Sequence, residues 1–302
     1  MKMKKRRYAV YDVFADRALA GNPLAVVFDA DGLDTDAMQS IAGEFNLSET
    51  TFVSPPENAR HRAAVRIFTP RHELPFAGHP TVGTAIALTE SDGSGAGILV
   101  LEERVGPVRC AVARGRGAAF AEFDLPRLPE RLGFSATPEA VAAALGLGHD
   151  EVGFENHTIG LWSGGVPYVL VPVCDLSAAA KARLDDAAWI ALTGPVDALS
   201  PAAFVYCRET TDAECAFHAR MFASHLGIPE DPATGSAVAA FAGAVHHFDR
   251  PLDGAAQYWI EQGIEMGRPS RIRLELDIDK GAIAAARIGG HAVKVAEGTL
   301  YV

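Results

Sequence analysis

The 302-residue chain reads as a strand-rich α+β protein made of two related halves. Three observations predict this. The length is about twice that of a typical domain. Its 29 glycines and 18 prolines are spread throughout, as expected where many short strands are joined by turns. Sequence patterns also recur in one order at a nearly constant offset. Arg66-Ile-Phe-Thr-Pro70 precedes Gly78-His-Pro-Thr-Val-Gly-Thr-Ala-Ile-Ala-Leu88, and Arg220-Met-Phe-Ala-Ser224 precedes Asp231-Pro-Ala-Thr-Gly-Ser-Ala-Val-Ala-Ala-Phe241. The offset is 154 for the first pattern and 153 for the second. Phe52-Val53 matches Phe204-Val205, and Gly21-Asn-Pro-Leu-Ala-Val-Val27 matches Gly165-Val-Pro-Tyr-Val-Leu-Val171, at offsets of 152 and 144.

Apolar alternation and short apolar runs place strands at 8–14, 25–28, 51–53, 63–68, 98–102 and 118–123. The same signal returns at 167–173, 203–207, 215–222, 270–276, 282–288 and 292–295. Helical spacing of apolar residues is confined to 34–45, 80–88, 138–145 and 232–245. Between the halves, Asp124-Leu-Pro-Arg-Leu-Pro-Glu130 reads as a linker, because closely spaced prolines stop both helix and sheet. The expected domains are therefore 1–127 and 128–302, with a final strand at 293–302 able to return to the first.

Composition narrows the function classes. Apolar residues make up 49% and charged residues 22%, a globular balance with no apolar run long enough for a membrane helix. Charge is 27 Lys+Arg against 38 Asp+Glu, or −11. Five of the basic residues (Lys2, Lys4, Lys5, Arg6, Arg7) sit in the first seven positions, which leaves the remainder at −16. Such an acidic body is a poor partner for nucleic acid, which needs clustered Lys and Arg. The basic start is not a secretion signal, because Asp12, Asp16 and Arg17 interrupt any apolar stretch after it. Cys110, Cys174, Cys207 and Cys215 form no C-x-x-C pair or metal-ligand spacing, so buried reduced thiols in a cytoplasmic protein are expected.

Two patterns could carry chemistry, and each places small residues at a helix start. The first turn of a helix offers backbone N–H groups and partial positive charge, which together bind carboxylates. Gly78 and Gly235 would let a ligand approach that backbone closely. The structural alternatives are plain: Asp231-Pro232 makes a good N-cap with proline at the first helical position, His79-Pro80 an ordinary helix start, and Ser236 a packing residue. Glu49, in Asn46-Leu-Ser-Glu-Thr-Thr-Phe52, falls between a helix end and an apolar strand. Burial there would raise its pKa and suit it to proton transfer; a capping or solvated role is the alternative. No dinucleotide fingerprint, Walker loop, nucleophile elbow or H-E-x-x-H is present, and His246-His247 would point apart on a helix, so no cofactor or metal is expected.

In combination, the 21–27, 46–52 and 66–70 segments, Glu73-Leu-Pro-Phe-Ala-Gly-His-Pro-Thr-Val-Gly83 and Glu230-Asp-Pro-Ala-Thr-Gly-Ser236 resemble the PhzF-type isomerases of phenazine biosynthesis, over essentially the whole chain. That resemblance implies the diaminopimelate epimerase-like fold: two pseudo-symmetric halves, each a curved sheet or barrel around a central helix, with the site in the cleft between them. It implies a cytoplasmic, cofactor-independent homodimer that binds neither nucleic acid nor membrane and acts on a small anionic amino or hydroxy acid. The implied reaction is isomerisation of a dihydro-3-hydroxyanthranilate-like ring. The catalytic residues carried over are Glu49 as general acid/base, His79 and Asp231; Gly78, Pro80, Thr234, Gly235 and Ser236 would bind the substrate. Related racemases place two cysteines at the helix starts, and the corresponding positions here read Gly78 and Asp231. A racemase or dehydratase acting on another small amino acid, and a non-catalytic binding protein, are the alternatives. Arg71-His72, in the loop before Glu73, is either a ligand contact or solvated.

Overall fold

The structure, a computed structural model, describes residues 4–115, 117–196, 200–224 and 228–302. It divides into two compact units: unit 1 is Met1–Pro126 with Gly289–Val302, and unit 2 is Arg127–Ile288.

Unit 1 contains β1 (Lys5–Val13), β2 (Asn22–Val27), α1 (Thr35–Phe45), β3 (Glu49–Ser54), β4 (Ala63–Phe68), β5 (Glu73–Leu74), α2 (Gly78–Asp92), β6 (Gly97–Glu103), β7 (Gly106–Ala113) and β8 (Ala119–Asp124). Unit 2 contains β9 (Glu130–Leu132), α3 (Pro138–Ala144), β10 (Gly160–Ser163), β11 (Pro167–Pro172), α4 (Leu176–Lys181), α5 (Asp186–Thr193) and β12 (Ala202–Cys207). It continues through β13 (Phe217–Ala223), β14 (Ile228–Asp231), α6 (Gly235–Asp249), β15 (Gly254–Gln262) and β16 (Ser270–Asp279). The last strand, β17 (Ala282–Tyr301), starts in unit 2 and finishes in unit 1.

In unit 1 the pairing runs β17–β1–β2–β3–β4–β6–β7–β8 and returns to β17, which closes an eight-stranded barrel. Closure removes the free edges that an open sheet must protect. Helix α2 packs against β1, β2, β3, β6, β7 and β8, and every residue from Gly78 to Thr89 is buried. Small residues make this possible. A Cβ on Gly83 would lie 2.6 Å from Leu24 and 2.7 Å from Val13, so only glycine lets the helix approach β1 and β2 this closely.

Unit 2 repeats the scheme. Its sheet runs β9–β10–β11–β12–β13–β15–β16–β17, with α6 packed on β9, β10, β11 and β16. The parallel pairs β2/β3 and β4/β6 of unit 1 have parallel counterparts in β11/β12 and β13/β15. Antiparallel β3/β4 and β6/β7 likewise correspond to β12/β13 and β15/β16. The architecture is thus the expected α+β fold of two like halves. Its central ring cluster is Phe241 on α6, buried with ring centroids 4.6 Å from Tyr206, 4.9 Å from Phe217 and 5.6 Å from Phe204.

The structure corrects several boundaries. Helix α6 opens at Gly235, so Asp231 is the last residue of β14 and Asp231-Pro232 is no N-cap pair. The helix starts therefore correspond as Gly78 and Gly235, an offset of 157, and not as Gly78 and Asp231. The segment 124–130 is not wholly a linker, because Glu130 begins β9. Cys174 is exposed, while Cys110, Cys207 and Cys215 are buried; all four are free thiols. Of the basic start, Lys5, Arg6 and Arg7 belong to β1, where Arg6 is buried and donates to the backbone carbonyls of Asp29 and Asp31, while Lys2 lies outside the described residues. Among the described residues no helix is long and apolar enough to cross a membrane.

A buried ion cluster ties unit 2 together. Both ring nitrogens of His218 face carboxylates, Nδ1 with Glu261 Oε1 at 2.9 Å and Nε2 with Glu265 Oε1 at 3.0 Å. Burial opposes protonation, but the two hydrogen bonds outweigh it and hold the imidazole up at about 9. A folded-state pKa above the unfolded value stabilises fully below about 6.5, and the gain disappears as pH rises through about 9. Unit 2 is therefore expected to lose on the order of 3 kcal/mol between pH 6.5 and 9.5. All three tryptophans (Trp162, Trp189, Trp259) lie in unit 2, so thermal melts followed by tryptophan fluorescence report it. His218→Gln should flatten the pH dependence; an unchanged slope would show that this cluster is not its source.

Candidate active site

Helix α1 ends at Asn46, whose left-handed φ of 51° turns the chain sharply. Three residues later Glu49 opens β3, registered beside Leu24 of the parallel neighbour β2. This places the Glu49 side chain inward, 8% exposed, which excludes the solvated alternative. Its Oε2 lies 3.1 Å from Nε2 of His79, the second residue of α2. Burial pushes the His79 imidazole down to about 3, so it is neutral at physiological pH and leaves proton uptake to the carboxylate. The structure thus brings Glu49, Gly78, His79 and Pro80 together at one helix start, in a buried setting.

The second group forms at the start of α6. Asp231 is 6% exposed, and its Oδ2 accepts from Thr234 Oγ1 at 2.6 Å. Gln262, at the end of β15, grips this turn with both ends of its amide: Nε2 donates to the Asp231 carbonyl at 2.7 Å and to Thr234 Oγ1 at 3.0 Å, while Oε1 accepts from the Thr234 N–H at 3.1 Å. The Ser236 hydroxyl is 2.7 Å from the Tyr168 hydroxyl. Sequence reasoning missed Gln262 and Tyr168. Arg71 and His72 are exposed, and His72 turns back onto Thr69.

The two central helices differ from the others in how they begin. Helices α1, α3, α4 and α5 are capped by the side chains of Asp34, Thr137, Asp175 and Asp185. Helices α2 and α6 have no side-chain cap and no acidic residue in the first turn. Thr234 could cap α6, but its hydroxyl is turned to Asp231 instead. An uncapped start leaves backbone donors and the positive end of the helix dipole to an anion. Close by, Thr81 Oγ1 donates to Glu103 Oε1 at 2.8 Å, and burial pushes this second carboxyl up to about 8.

Comparison with known proteins bears on this arrangement. A family model for phenazine biosynthesis-like proteins (PhzC-PhzF) matches residues 11–298. An uncharacterized isomerase of Mesorhizobium japonicum is 62% identical over 99% of this chain and 100% of its own. The trans-2,3-dihydro-3-hydroxyanthranilate isomerase of Pseudomonas aeruginosa is 37% identical, covering 98% of this chain and 99% of that one. A Bacillus anthracis phenazine biosynthesis protein of the PhzF family has a similar crystal structure, with TM-score 0.89 and 26% identity over 99% of this chain and 100% of that one. Fold and relatives together define an isomerase. The chain belongs to the phenazine biosynthesis-like family, PhzC-PhzF.

Proposed function

We propose that the protein is a cofactor-independent isomerase that moves a proton between carbons of a small cyclic amino or hydroxy acid, such as dihydro-3-hydroxyanthranilate. The observation that carries this reading is the buried carboxyl of Glu49 against a neutral imidazole at the uncapped start of α2. In this reading the Glu49 carboxylate takes a proton from an allylic ring carbon, and the resulting acid returns it further along the conjugated system. No atom is gained or lost, and one base serves both carbons because it sits over one ring face. Backbone donors at Gly78 hold the substrate carboxylate and draw electron density from the ring, and Gly235 with Ser236 at the α6 start of unit 2 offers donors of the same kind. His79 binds an amino or hydroxyl group of the substrate, Pro80, which has no N–H, shapes the turn beside it, and Asp231 and Thr234 are the corresponding polar groups of unit 2.

A two-thiol racemisation has no support, since both helix starts carry glycine and none of the four cysteines lies in either motif. The test is turnover of trans-2,3-dihydro-3-hydroxyanthranilate in D2O. An isomerase converts the substrate to its isomer, and solvent deuterium enters the receiving carbon to the extent that the Glu49 acid exchanges with D2O before it gives up its proton. A screen of cyclic amino acids by thermal shift extends the test to other substrates. Binding without turnover or exchange in either experiment would replace this reading with a ligand-binding protein.

A further inference from the structure

We propose that a bidentate arginine–glutamate fork, repeated once in each unit, fixes the position of each central helix start: Arg66–Glu73 for α2 and Arg220–Glu230 for α6. The two forks use the same atoms. Arg66 Nε donates to Glu73 Oε1 at 2.7 Å and its Nη2 to Oε2 at 2.8 Å. Arg220 Nε donates to Glu230 Oε1 at 2.8 Å and its Nη2 to Oε2 at 2.9 Å. Each guanidinium also stacks over the phenylalanine two residues on, 5.1 Å from the Phe68 ring and 4.7 Å from the Phe222 ring. Each glutamate lies five residues before the glycine that opens its helix.

The spacing shows which part of the device is kept. Unit 2 has three more residues than unit 1 between the phenylalanine and the glutamate, yet the distance in sequence from glutamate to helix start is identical. The extra length is absorbed on the strand side of the fork. A planar guanidinium with two parallel N–H···O bonds stops the carboxylate from rotating, which a single point charge does not do. The fork thus anchors a five-residue tether, and the tether ends at backbone donors that no side chain caps.

The two copies differ in setting. Arg220 is 2% exposed and also donates to the carbonyls of Ala179 and Ala182, which end α4, so its removal would disturb folding. Arg66 is 32% exposed, and Arg104 supplies a second cation to Glu73 at 3.1 Å, so the unit 1 fork can be opened without unfolding the unit.

The arginines are positioning residues, and their effect on catalysis rests on the reading that the helix starts hold substrate. The test compares R66A, R66K and a control, R109A, which breaks the more exposed Arg109–Asp124 pair of β7 and β8. In ligand-free protein, R66A should speed backbone hydrogen exchange in residues 74–82 by about tenfold, R66K by less, and R109A not at all. With trans-2,3-dihydro-3-hydroxyanthranilate, R66A should raise KM about tenfold and leave kcat within about twofold, as when binding shared by ground and transition states is lost. Unchanged exchange at the α2 start in R66A would overturn the fork as anchor. Faster exchange with unchanged KM would overturn its link to substrate. Wild-type protein that fails to turn over the substrate counts against the isomerase reading alone, because the exchange measurement needs no substrate.

Discussion

Glu49→Gln is expected to lower kcat by about 10²–10⁴-fold while ligand binding changes little. Glutamine keeps the length and an acceptor oxygen beside His79 Nε2, but it cannot take a proton from carbon. The neutral imidazole is a poor substitute base, because burial holds its pKa near 3. Loss of turnover should therefore accompany loss of solvent deuterium incorporation. Titration with 3-hydroxyanthranilate, the aromatic compound with the same carboxylate, amino and hydroxyl groups, separates binding from chemistry. Retained exchange in E49Q would remove Glu49 as the base; lost binding with lost turnover would make it a binding group.

Phe241→Ala should cost about 3–5 kcal/mol, the largest stability effect expected of a single core truncation here. Phe241 is fully buried on α6, and its ring meets Phe204, Tyr206 and Phe217 on two adjacent strands. Three aromatic neighbours held by β12 and β13 cannot collapse into the vacated volume without shifting the strands. Urea unfolding followed by tryptophan fluorescence reads this change in unit 2 alone, since unit 1 contains no tryptophan. A loss below about 1 kcal/mol would show that α6 is not held by this cluster.

The fold was legible in the sequence because the repeat is written in residue types that the architecture needs twice. Arg-x-Phe on a strand and a run of small residues on a helix recur where β4 and β13, and α2 and α6, correspond. Elements without such a pattern were not legible. Helix α4 is a six-residue segment with three consecutive alanines and carries too little periodicity to announce itself. Strand β7 begins Gly-Pro, which reads as a turn although the strand behind it alternates in burial. At α6 the Asp231-Pro232 pair has strong local helix-start chemistry, but the backbone continues extended because β14 pairs Asp231 with Met221. Tertiary pairing outweighed local propensity there.

Within the candidate site, residues were legible where they share a motif with their neighbours, as Gly78, His79 and Pro80 do. Gln262 and Tyr168 were not, because each reaches the α6 start from a distant segment; Tyr168 lies in the repeated 165–171 pattern, but its unit 1 counterpart is Leu24, so the repeat gives its hydroxyl no emphasis. The arginine–glutamate forks lay in between. Both arginines were visible as repeated residues, but only coordinates show that each finds a glutamate of its own.

The path of β17 has a consequence for synthesis. Residues 289–301 supply the strand between β1 and β8, so the unit 1 barrel cannot close until all of unit 2 and then these residues have left the ribosome. Residues of β1 pair with residues made far later, Lys5 with Tyr301, across both units of the fold. Loop closure on that scale is slow. While it is pending, β1 and β8 present open edges of the kind that recruit other strands. A nascent chain of this protein is thus exposed to mispairing for longer than its simple two-part layout suggests, and unit 1, although made first, is finished last.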